Sequence, residues 1–152
     1  LKWRIGRVTG PCPELHLDDE LALQQCLREG IRMGLIRSAH DLSEGGLLIG
    51  CVESAFKSGF GFQLELCRGH LRLDSLLFGE SASRAVISVH GEAVEALEQL
   101  ARNHGVPWAK LGVVGGKSFS VSIDDVKVLD IPCVDLQCLH RGSLERQLDL
   151  TS

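Results

Sequence analysis

The chain has 152 residues, of which 44% are hydrophobic and 24% charged, a composition typical of a single globular domain. Its net charge of -4 comes without a basic stripe, which argues against binding to nucleic acid or a lipid surface, and no apolar run approaches the ~20 residues needed to cross a bilayer. We therefore expect a soluble, cytoplasmic protein whose partners are small molecules or other proteins.

The first 17 residues are predicted to form an extended linker. They contain two prolines and two glycines in the stretch GRVTGPCPELHL, a composition typical of a domain boundary. A single folded domain is then predicted over residues 18–152. Because the chain begins at Leu1 and its only methionine is Met33, we expect it to be a piece of a longer polypeptide.

The first predicted elements are a helix and a short strand. The acidic pair Asp18–Asp19 favours a helix start, and Gly34 favours its end. An apolar row spaced by four residues is expected to face the core. This row comprises Leu23, Leu27 and Ile31. The run Leu35–Asp41 is short and predicts a strand.

A second helix and a strand with one buried face are predicted next. The helix begins at Ser43 or Glu44 and stops at Gly59, and its apolar residues form one broad face. These residues are Leu47, Leu48, Cys51, Val52, Ala55 and Phe56. The following FGFQLEL alternates large apolar residues with others, the period-2 pattern of a strand.

The remainder of the chain is predicted to be richer in strands. The strands are Ala85–Val89, Leu111–Val114, a run with Phe119, Val121 and Ile123, and Val126–Ile131, and the helices are Glu92–Asn103 and Val134–Leu148. Gly115 and Gly116 are predicted to form a hairpin turn between the second and third of these strands. The whole pattern predicts an α+β fold, a mixed β-sheet covered by helices.

Six cysteines are scattered along the chain without any Cys-x-x-Cys pair. They are Cys12, Cys26, Cys51, Cys67, Cys133 and Cys138. Cys26 and Cys51 fall on apolar faces of predicted helices. This distribution predicts reduced thiols in a cytosolic compartment, most of them behaving as small hydrophobic residues.

The stretch GVVGGKS, Gly112–Ser118, ends in Gly-Lys-Ser as a nucleotide-binding P-loop does. Leu111 stands where that motif requires its first glycine, and the following SFSVSI is patterned as a strand, whereas a P-loop opens a helix. A turn is therefore predicted here.

The stretch SAHDLSEGGL, Ser38–Leu47, is the richest candidate site. A strand that ends at a glycine-containing turn into a helix directs backbone N–H groups and the positive end of the helix dipole to one place, which suits phosphate. Asp41 could ligate Mg²⁺, which prefers carboxylate oxygen and shares its shell with phosphates, and His40 could bind phosphate. In the structural alternative Ser43 caps the helix, Asp41 supports the turn and the glycines allow tight packing.

A second polar stretch, LFGESASR, places Glu80, Ser81 and Arg84 together before a predicted buried strand. Its structural alternative is a turn with a surface ion pair. The other histidines of the chain have no convergent partner, and nothing has the spacing of a Ser-His-Asp triad or a zinc site.

Four motifs in one order resemble the C-terminal region of the smaller type of phosphoribosylformylglycinamidine synthase. They are GLIRSAHDLSEGGL, GFGFQLEL, LFGESASR and KLGVVGG, and the resemblance runs from about Val8 to Leu136. It implies the C-terminal domain fold of aminoimidazole ribonucleotide synthetase, in the second of two fused copies. The family's ATP-binding machinery and catalytic histidine belong to N-terminal domains, so no catalytic residue is expected here and the isolated chain is expected to fold without catalysing.

The resemblance implies an ATP-dependent ligase reaction of purine biosynthesis. Formylglycinamide ribonucleotide, ATP and glutamine-derived ammonia would give the amidine, ADP and phosphate. The implied cofactors are Mg²⁺ and ATP or ADP. The implied partners are the N-terminal synthetase domains of the same polypeptide, a glutaminase subunit and a small accessory subunit.

The resemblance also implies roles for individual residues. Asp41 would contact Mg²⁺ or a nucleotide phosphate in an auxiliary second site. His40, Ser43, Gly45 and Gly46 would bind nucleotide phosphate in the same loop. The residues expected to face the neighbouring domain or the ligand cleft are Glu80, Ser81 and Arg84.

Two alternatives remain open at this stage. Aminoimidazole ribonucleotide synthetase, thiamine monophosphate kinase, selenophosphate synthetase and a hydrogenase maturation protein share the fold and a related loop, although LFGES favours the amidine-forming synthetase. The second alternative is a docking domain that buries an interface and binds no ligand.

Overall fold

The computed structural model describes residues 13–56, 58–143 and 148, and most of the predicted linker lies outside them. The elements of this part of the chain are α1 (Leu17–Arg32), β1 (Ile36–Asp41), α2 (Gly46–Phe56), β2 (Phe62–Leu66), α3 (Leu73–Phe78), β3 (Ala85–Val89), α4 (Val94–Asn103), β4 (Gly112–Val114), β5 (Ser118–Ile123), β6 (Val126–Pro132) and α5 (Cys133–Arg141), with a 3-10 turn at Gly91–Ala93. Among these helices, none has both the length and the apolar character needed to span a membrane.

The strands form two sheets. The larger one has the order β4-β2-β5-β6, in which β2 runs parallel to β5 and antiparallel to β4, and β6 runs antiparallel to β5. The smaller sheet is the antiparallel pair of β1 and β3. Helices pack against these sheets, so the predicted α+β fold with a mixed sheet is confirmed.

The predicted hairpin between β4 and β5 is wrong, because β2 lies between these two strands. The glycine loop instead passes around the start of β2: Gly115 N–H donates to Gly61 O at 2.9 Å, and Gly61 N–H donates to Gly116 O at 3.0 Å. A side chain at Gly61 would collide with the backbone of Ser118. The glycines therefore lie in a connection that crosses the end of β2. No local sequence pattern distinguishes such a connection from a tight turn.

The main core lies between α2 and the larger sheet. The broad apolar face predicted for α2 is buried at all but one of its positions, since Phe56 is only partly buried. Phe62, Leu64 and Leu66 of β2 are buried, as the alternating pattern predicts. They join Phe119 and Val121 of β5 in one apolar cluster. This cluster fixes α2 against the sheet and so fixes the loop that precedes α2.

The helix α1 packs through the predicted face at Leu23 and Leu27, which are partly buried, but not at Ile31. Its buried residues are Cys26 and Gly30, whereas Ile31 is 55% exposed. At Gly30 an added Cβ would lie 2.7 Å from Ile36 Cδ1, so the glycine lets α1 approach β1 closely. The row expected from spacing alone is therefore wrong at Ile31. The close approach of α1 to β1 occurs on the side of the helix that carries Gly30, and Ile31 is left exposed.

The described cysteines behave largely as predicted. Cys26, Cys51 and Cys133 are buried thiols, and burial raises the pKa of Cys51 to about 11. Cys67 is an exposed thiol, and Cys12 lies outside the described residues. A thiol with such a raised pKa stays protonated near neutral pH and is a poor nucleophile.

Several boundaries differ from the predicted ones. The helix α2 begins at Gly46, after the predicted Ser43 or Glu44, and the short helix α3 was not expected. The last helix begins one residue before the predicted Val134 and ends at Arg141, while residues 144–147 fall outside the description. The late start of α2 leaves an irregular loop, residues 42–45, between β1 and α2.

Candidate functional site

The two candidate stretches meet at one edge of the molecule, although about 40 residues separate them in the sequence. In the pairing of β1 with β3, Asp41 lies opposite Ala85 and His40 opposite Val86. One residue further on, Leu42 N–H donates to Arg84 O at 3.2 Å. The loop 42–45 is thereby held against the segment 79–84 that leads into β3. We call residues 41–45 and the segment 79–84 together the loop pair.

The N-terminal end of α2 is closed by the chain itself. Glu80 Oε1 accepts a hydrogen bond from Gly45 N–H at 2.9 Å. Gly46, at φ +64, lies so close to the Phe78–Gly79 backbone that an added Cβ would be 2.6 Å from Gly79 O. A carboxylate at this position suits the positive end of the helix dipole. The glycines thus admit the neighbouring segment, and Glu80 supplies the anion at this helix end.

Asp41 carries an exposed carboxylate of the loop pair. Its side chain is 75% exposed. A hydrogen bond from Ser43, its own backbone N–H and the nearby His40 together hold the pKa of Asp41 below its ordinary value of 3.8, against a smaller opposing effect of burial. Asp41 is therefore an ionised and oriented carboxylate, and Ser43 orients it instead of capping α2.

His40 is held from both sides of its ring. Its Nδ1 lies 2.7 Å from Asp41 O, and its Nε2 lies 3.4 Å from Glu53 Oε2 on α2. Both ring nitrogens therefore face oxygens of this chain. No motif includes Glu53, and its one signal in the sequence is that it is the single charged residue in the otherwise apolar or small GLLIGCVESAF of α2.

The segment 79–84 has no ion pair between Glu80 and Arg84. Arg84 Nη1 donates to Gly79 O at 3.3 Å, while Glu80 is engaged with Gly45. Ser83 has a left-handed φ of 56°, and its hydroxyl donates to Glu20 Oε2 of α1 at 2.7 Å. The surface ion pair of the structural alternative is therefore absent, and the side chains of Glu80 and Arg84 each form a hydrogen bond to a backbone group instead. Ser81 is exposed at the edge of the loop pair.

The donors of the loop pair suit a cation that is shared with phosphate. Within residues 13–56, 58–143 and 148, no group of three or more His, Cys, Asp and Glu side chains could enclose a metal ion. Mg²⁺ commonly takes one or two carboxylates and completes its shell with phosphate and water. One ionised, exposed carboxylate at Asp41 fits that mode and does not fit an all-protein cage.

A family model described as AIR synthase related protein, C-terminal domain, matches residues 9–124. Phosphoribosylformylglycinamidine synthase subunit PurL of Thermoanaerobacter sp. (strain X514) is 38% identical over 149 residues, covering 98% of this chain and 20% of the relative. The same subunit of Thermomicrobium roseum is 45% identical over 139 residues, covering 90% of this chain and 18% of the relative. The chain thus spans about a fifth of the length of these relatives.

Solved structures share the fold. Phosphoribosylformylglycinamidine synthase II from Thermotoga maritima matches 80% of this chain and 22% of its own, with a TM-score of 0.73 and 22% identity. T. maritima PurL complexed with FGAR matches 77% of this chain and 20% of its own, with a TM-score of 0.68 and 24% identity. At this level of identity, the likeness confirms the arrangement of helices and strands.

Proposed function

Since the chain belongs to the family of AIR synthase related proteins, C-terminal domain, we propose that it forms the last domain of a phosphoribosylformylglycinamidine synthase. The whole protein would use ATP and glutamine-derived ammonia to convert formylglycinamide ribonucleotide into the amidine, an ATP-dependent ligase reaction of purine biosynthesis. The names of its relatives and the T. maritima PurL complexes with FGAR and with ATP support this proposal. In that protein this chain supplies no catalytic residue.

The joining of the loop pair is the observation that carries the proposal for the site. The hydrogen bonds from Gly45 N–H to Glu80 and from Leu42 N–H to Arg84 O bring two of the resemblance motifs into one surface. Asp41 is an exposed, ionised carboxylate on that surface. We propose that the loop pair is half of a nucleotide and Mg²⁺ site, the other half lying on an N-terminal domain of the same polypeptide.

The side chains of the loop pair have separate tasks in this proposal. Asp41 offers its carboxylate to the cation, and Ser43 holds that carboxylate in place. When bound, Mg²⁺ would neutralise charge on the nucleotide phosphates. Because Glu80 occupies Gly45 N–H, a phosphate reaches this amide only by displacing Glu80. In the absence of nucleotide, Gly45 and Gly46 therefore contact the segment 79–84.

Calorimetric titration with Mg²⁺-ADP tests the site. The chain is expected to bind Mg²⁺-ADP, and Asp41→Asn is expected to bind at least about tenfold more weakly, because the amide cannot neutralise the cation. Asp125→Asn, which changes a carboxylate in the turn between β5 and β6, is the matched control and is expected to bind as the wild type does. Measurable binding that is equal in the wild type and Asp41→Asn would contradict the proposed site.

A docking domain without a ligand is the second candidate. It is favoured by the closure of the α2 N-terminus by Glu80 and by the engagement of both His40 nitrogens with oxygens of the chain itself. In this case neither the wild type nor Asp41→Asn binds Mg²⁺-ADP. The same titration on the longer polypeptide then decides between a docking domain and a half-site, since only a half-site gains Asp41-dependent binding when its other half is present.

The partners follow from the proposed place of the chain in the enzyme. The N-terminal synthetase domains of the same polypeptide would complete the cleft. A glutaminase subunit and a small accessory subunit would deliver ammonia, and the T. maritima assembly PurLQS supports an association with further subunits. We also propose that the protein is cytoplasmic, because the proposed reaction belongs to purine biosynthesis.

A further inference from the structure

Glu53 of α2 faces the imidazole of His40 at the end of β1. The Nε2 of His40 lies 3.4 Å from Glu53 Oε2, and the two side chains are 30% and 39% exposed, respectively. Neither side chain is part of the apolar core. A contact of this kind at the rim of a candidate site can be altered without removing a core residue.

The contact of the other ring nitrogen, Nδ1, fixes the orientation of the His40 ring. Nδ1 lies 2.7 Å from Asp41 O, and a backbone carbonyl can only accept, so Nδ1 carries the hydrogen of this bond. The ring is thereby oriented with Nε2 towards Glu53. Glu53, the His40 ring and the Asp41 peptide form one connected series that ends at the residue proposed to bind the cation.

The backbone of α2 packs closely against the His40–Asp41 end of this series. An added Cβ at Gly50 would lie 2.8 Å from Leu42 Cδ2, 3.5 Å from Asp41 O and 3.7 Å from His40 Nδ1. Gly50 and Glu53 are three residues apart on the helix, so they lie on one face. This face of α2 is shaped to receive the His40–Asp41 end of β1.

We propose that Glu53 is a positioning residue for the cation and nucleotide site. With a hydrogen on each ring nitrogen, His40 donates from Nδ1 to the Asp41 carbonyl and presents Nε2–H to the Glu53 carboxylate. Glu53 thereby holds the ring beside the Asp41 carboxylate, whose Oδ1 lies 3.7 Å from Nδ1, and keeps that carboxylate in its binding orientation. The part of this inference that concerns ligand affinity rests on the proposed function. Partners that orient metal ligands commonly change metal affinity by about 10–100-fold, and this series acts through one more group.

Three variants of the chain test the proposal. Glu53→Ala removes the carboxylate, Glu53→Asp keeps a shorter one, and Glu65→Ala removes an exposed carboxylate of β2 as the matched control. The ¹⁵N signals of the His40 ring, assigned with His40→Gln, report the ring orientation at pH 7. Calorimetry with Mg²⁺-ADP reports affinity, and thermal unfolding confirms that each variant is folded.

We expect Glu53→Ala to shift the His40 ring signals and to weaken Mg²⁺-ADP binding about tenfold. Glu53→Asp should restore part of both effects, and Glu65→Ala should change neither. Wild-type ring signals in Glu53→Ala would overturn the inference, whether or not nucleotide binds. Wild-type affinity in Glu53→Ala beside a tenfold loss in Asp41→Asn overturns the positioning role alone, whereas wild-type affinity in both variants overturns the site itself.

Discussion

Glu80 accepts a hydrogen bond from Gly45 N–H at 2.9 Å, although the two residues are 35 positions apart. The carboxylate lies at the end of α2 where the first backbone N–H groups lack partners within the helix. A tertiary contact thus does what a capping residue usually does locally. It also fixes the segment 79–84 beside Asp41, so this hydrogen bond contributes both to the stability of the fold and to the shape of the candidate site.

Removal of this contact is expected to destabilise the fold. Glu80→Ala should lower the free energy of unfolding by about 1 kcal/mol, the usual effect of losing a helix cap. Glu80→Gln keeps an acceptor oxygen and should cost less. Urea denaturation measures both, with Glu44→Ala, which removes an exposed carboxylate of the facing loop 42–45, as the control. An equal loss in Glu44→Ala would contradict the capping role.

Gly46→Ala is expected to be among the most damaging single-methyl additions in the chain. Gly46 has a φ of +64, and an added Cβ would lie 2.6 Å from Gly79 O. Gly34 has a φ of +73 with nothing within 4 Å of an added Cβ. Gly34→Ala should therefore cost only the left-handed conformation, about 1 kcal/mol, and Gly46→Ala roughly 2 kcal/mol more.

These two alanine variants differ only in what surrounds the added methyl group, and urea denaturation compares them directly. Equal losses of unfolding free energy would show that Gly46 does not press against the Phe78–Gly79 backbone in solution.

The turn between β5 and β6 offers a stabilising change. Asp124 and Asp125 both have positive φ, 48° and 64°, a conformation that favours glycine or asparagine in a two-residue hairpin. Asp124 Oδ1 accepts a hydrogen bond from Arg68 N–H at 3.1 Å and should be kept. Asp125→Gly is expected to raise the free energy of unfolding by about 0.5 kcal/mol.

Asp124→Gly is the informative counterpart in the same turn. It relieves the same kind of backbone strain but loses the bond to Arg68 N–H, so it should be less favourable than Asp125→Gly in thermal and urea unfolding. A more stable Asp124→Gly would contradict the role given to that carboxylate.

Glu20 gives the fold a defined pH dependence. Hydrogen bonds from Ser83 first and Gln24 second hold the pKa of Glu20 below its ordinary value of 4.5. The contribution to stability is thus complete well above pH 4.5 and is lost as the pH falls through the lower folded pKa. Ser83→Ala should reduce the difference in unfolding free energy between pH 7 and pH 3, as urea titrations at the two pH values would show.

Ser81→Ala, two residues away and exposed, is the control for this pH effect and should leave the pH dependence as in the wild type. A pH dependence that is unchanged in Ser83→Ala would contradict the assignment to Glu20.

The sequence predicts best where one local pattern decides the structure. The alternation in FGFQLEL predicts β2 and its buried face, and the broad apolar face predicts α2. The neighbours of β2 are decided by non-local packing, so the pair Gly115–Gly116 predicts a hairpin where the structure has a crossing around β2. In the candidate site, the motifs single out Asp41 and Glu80, but the Glu53–His40 contact depends on how α2 rotates against β1.

The central position of β2 has a consequence for the order of folding. Phe62 pairs with Val114 on one side and Phe119 on the other. Both edges of β2 therefore pair only with residues that follow Phe62 by about fifty positions. A nascent or truncated chain that ends at Gly105 holds β2 as a lone strand with two open edges. Formation of the core is thus tied to completion of the last third of the chain, and nonlocal pairings of this kind slow folding in general.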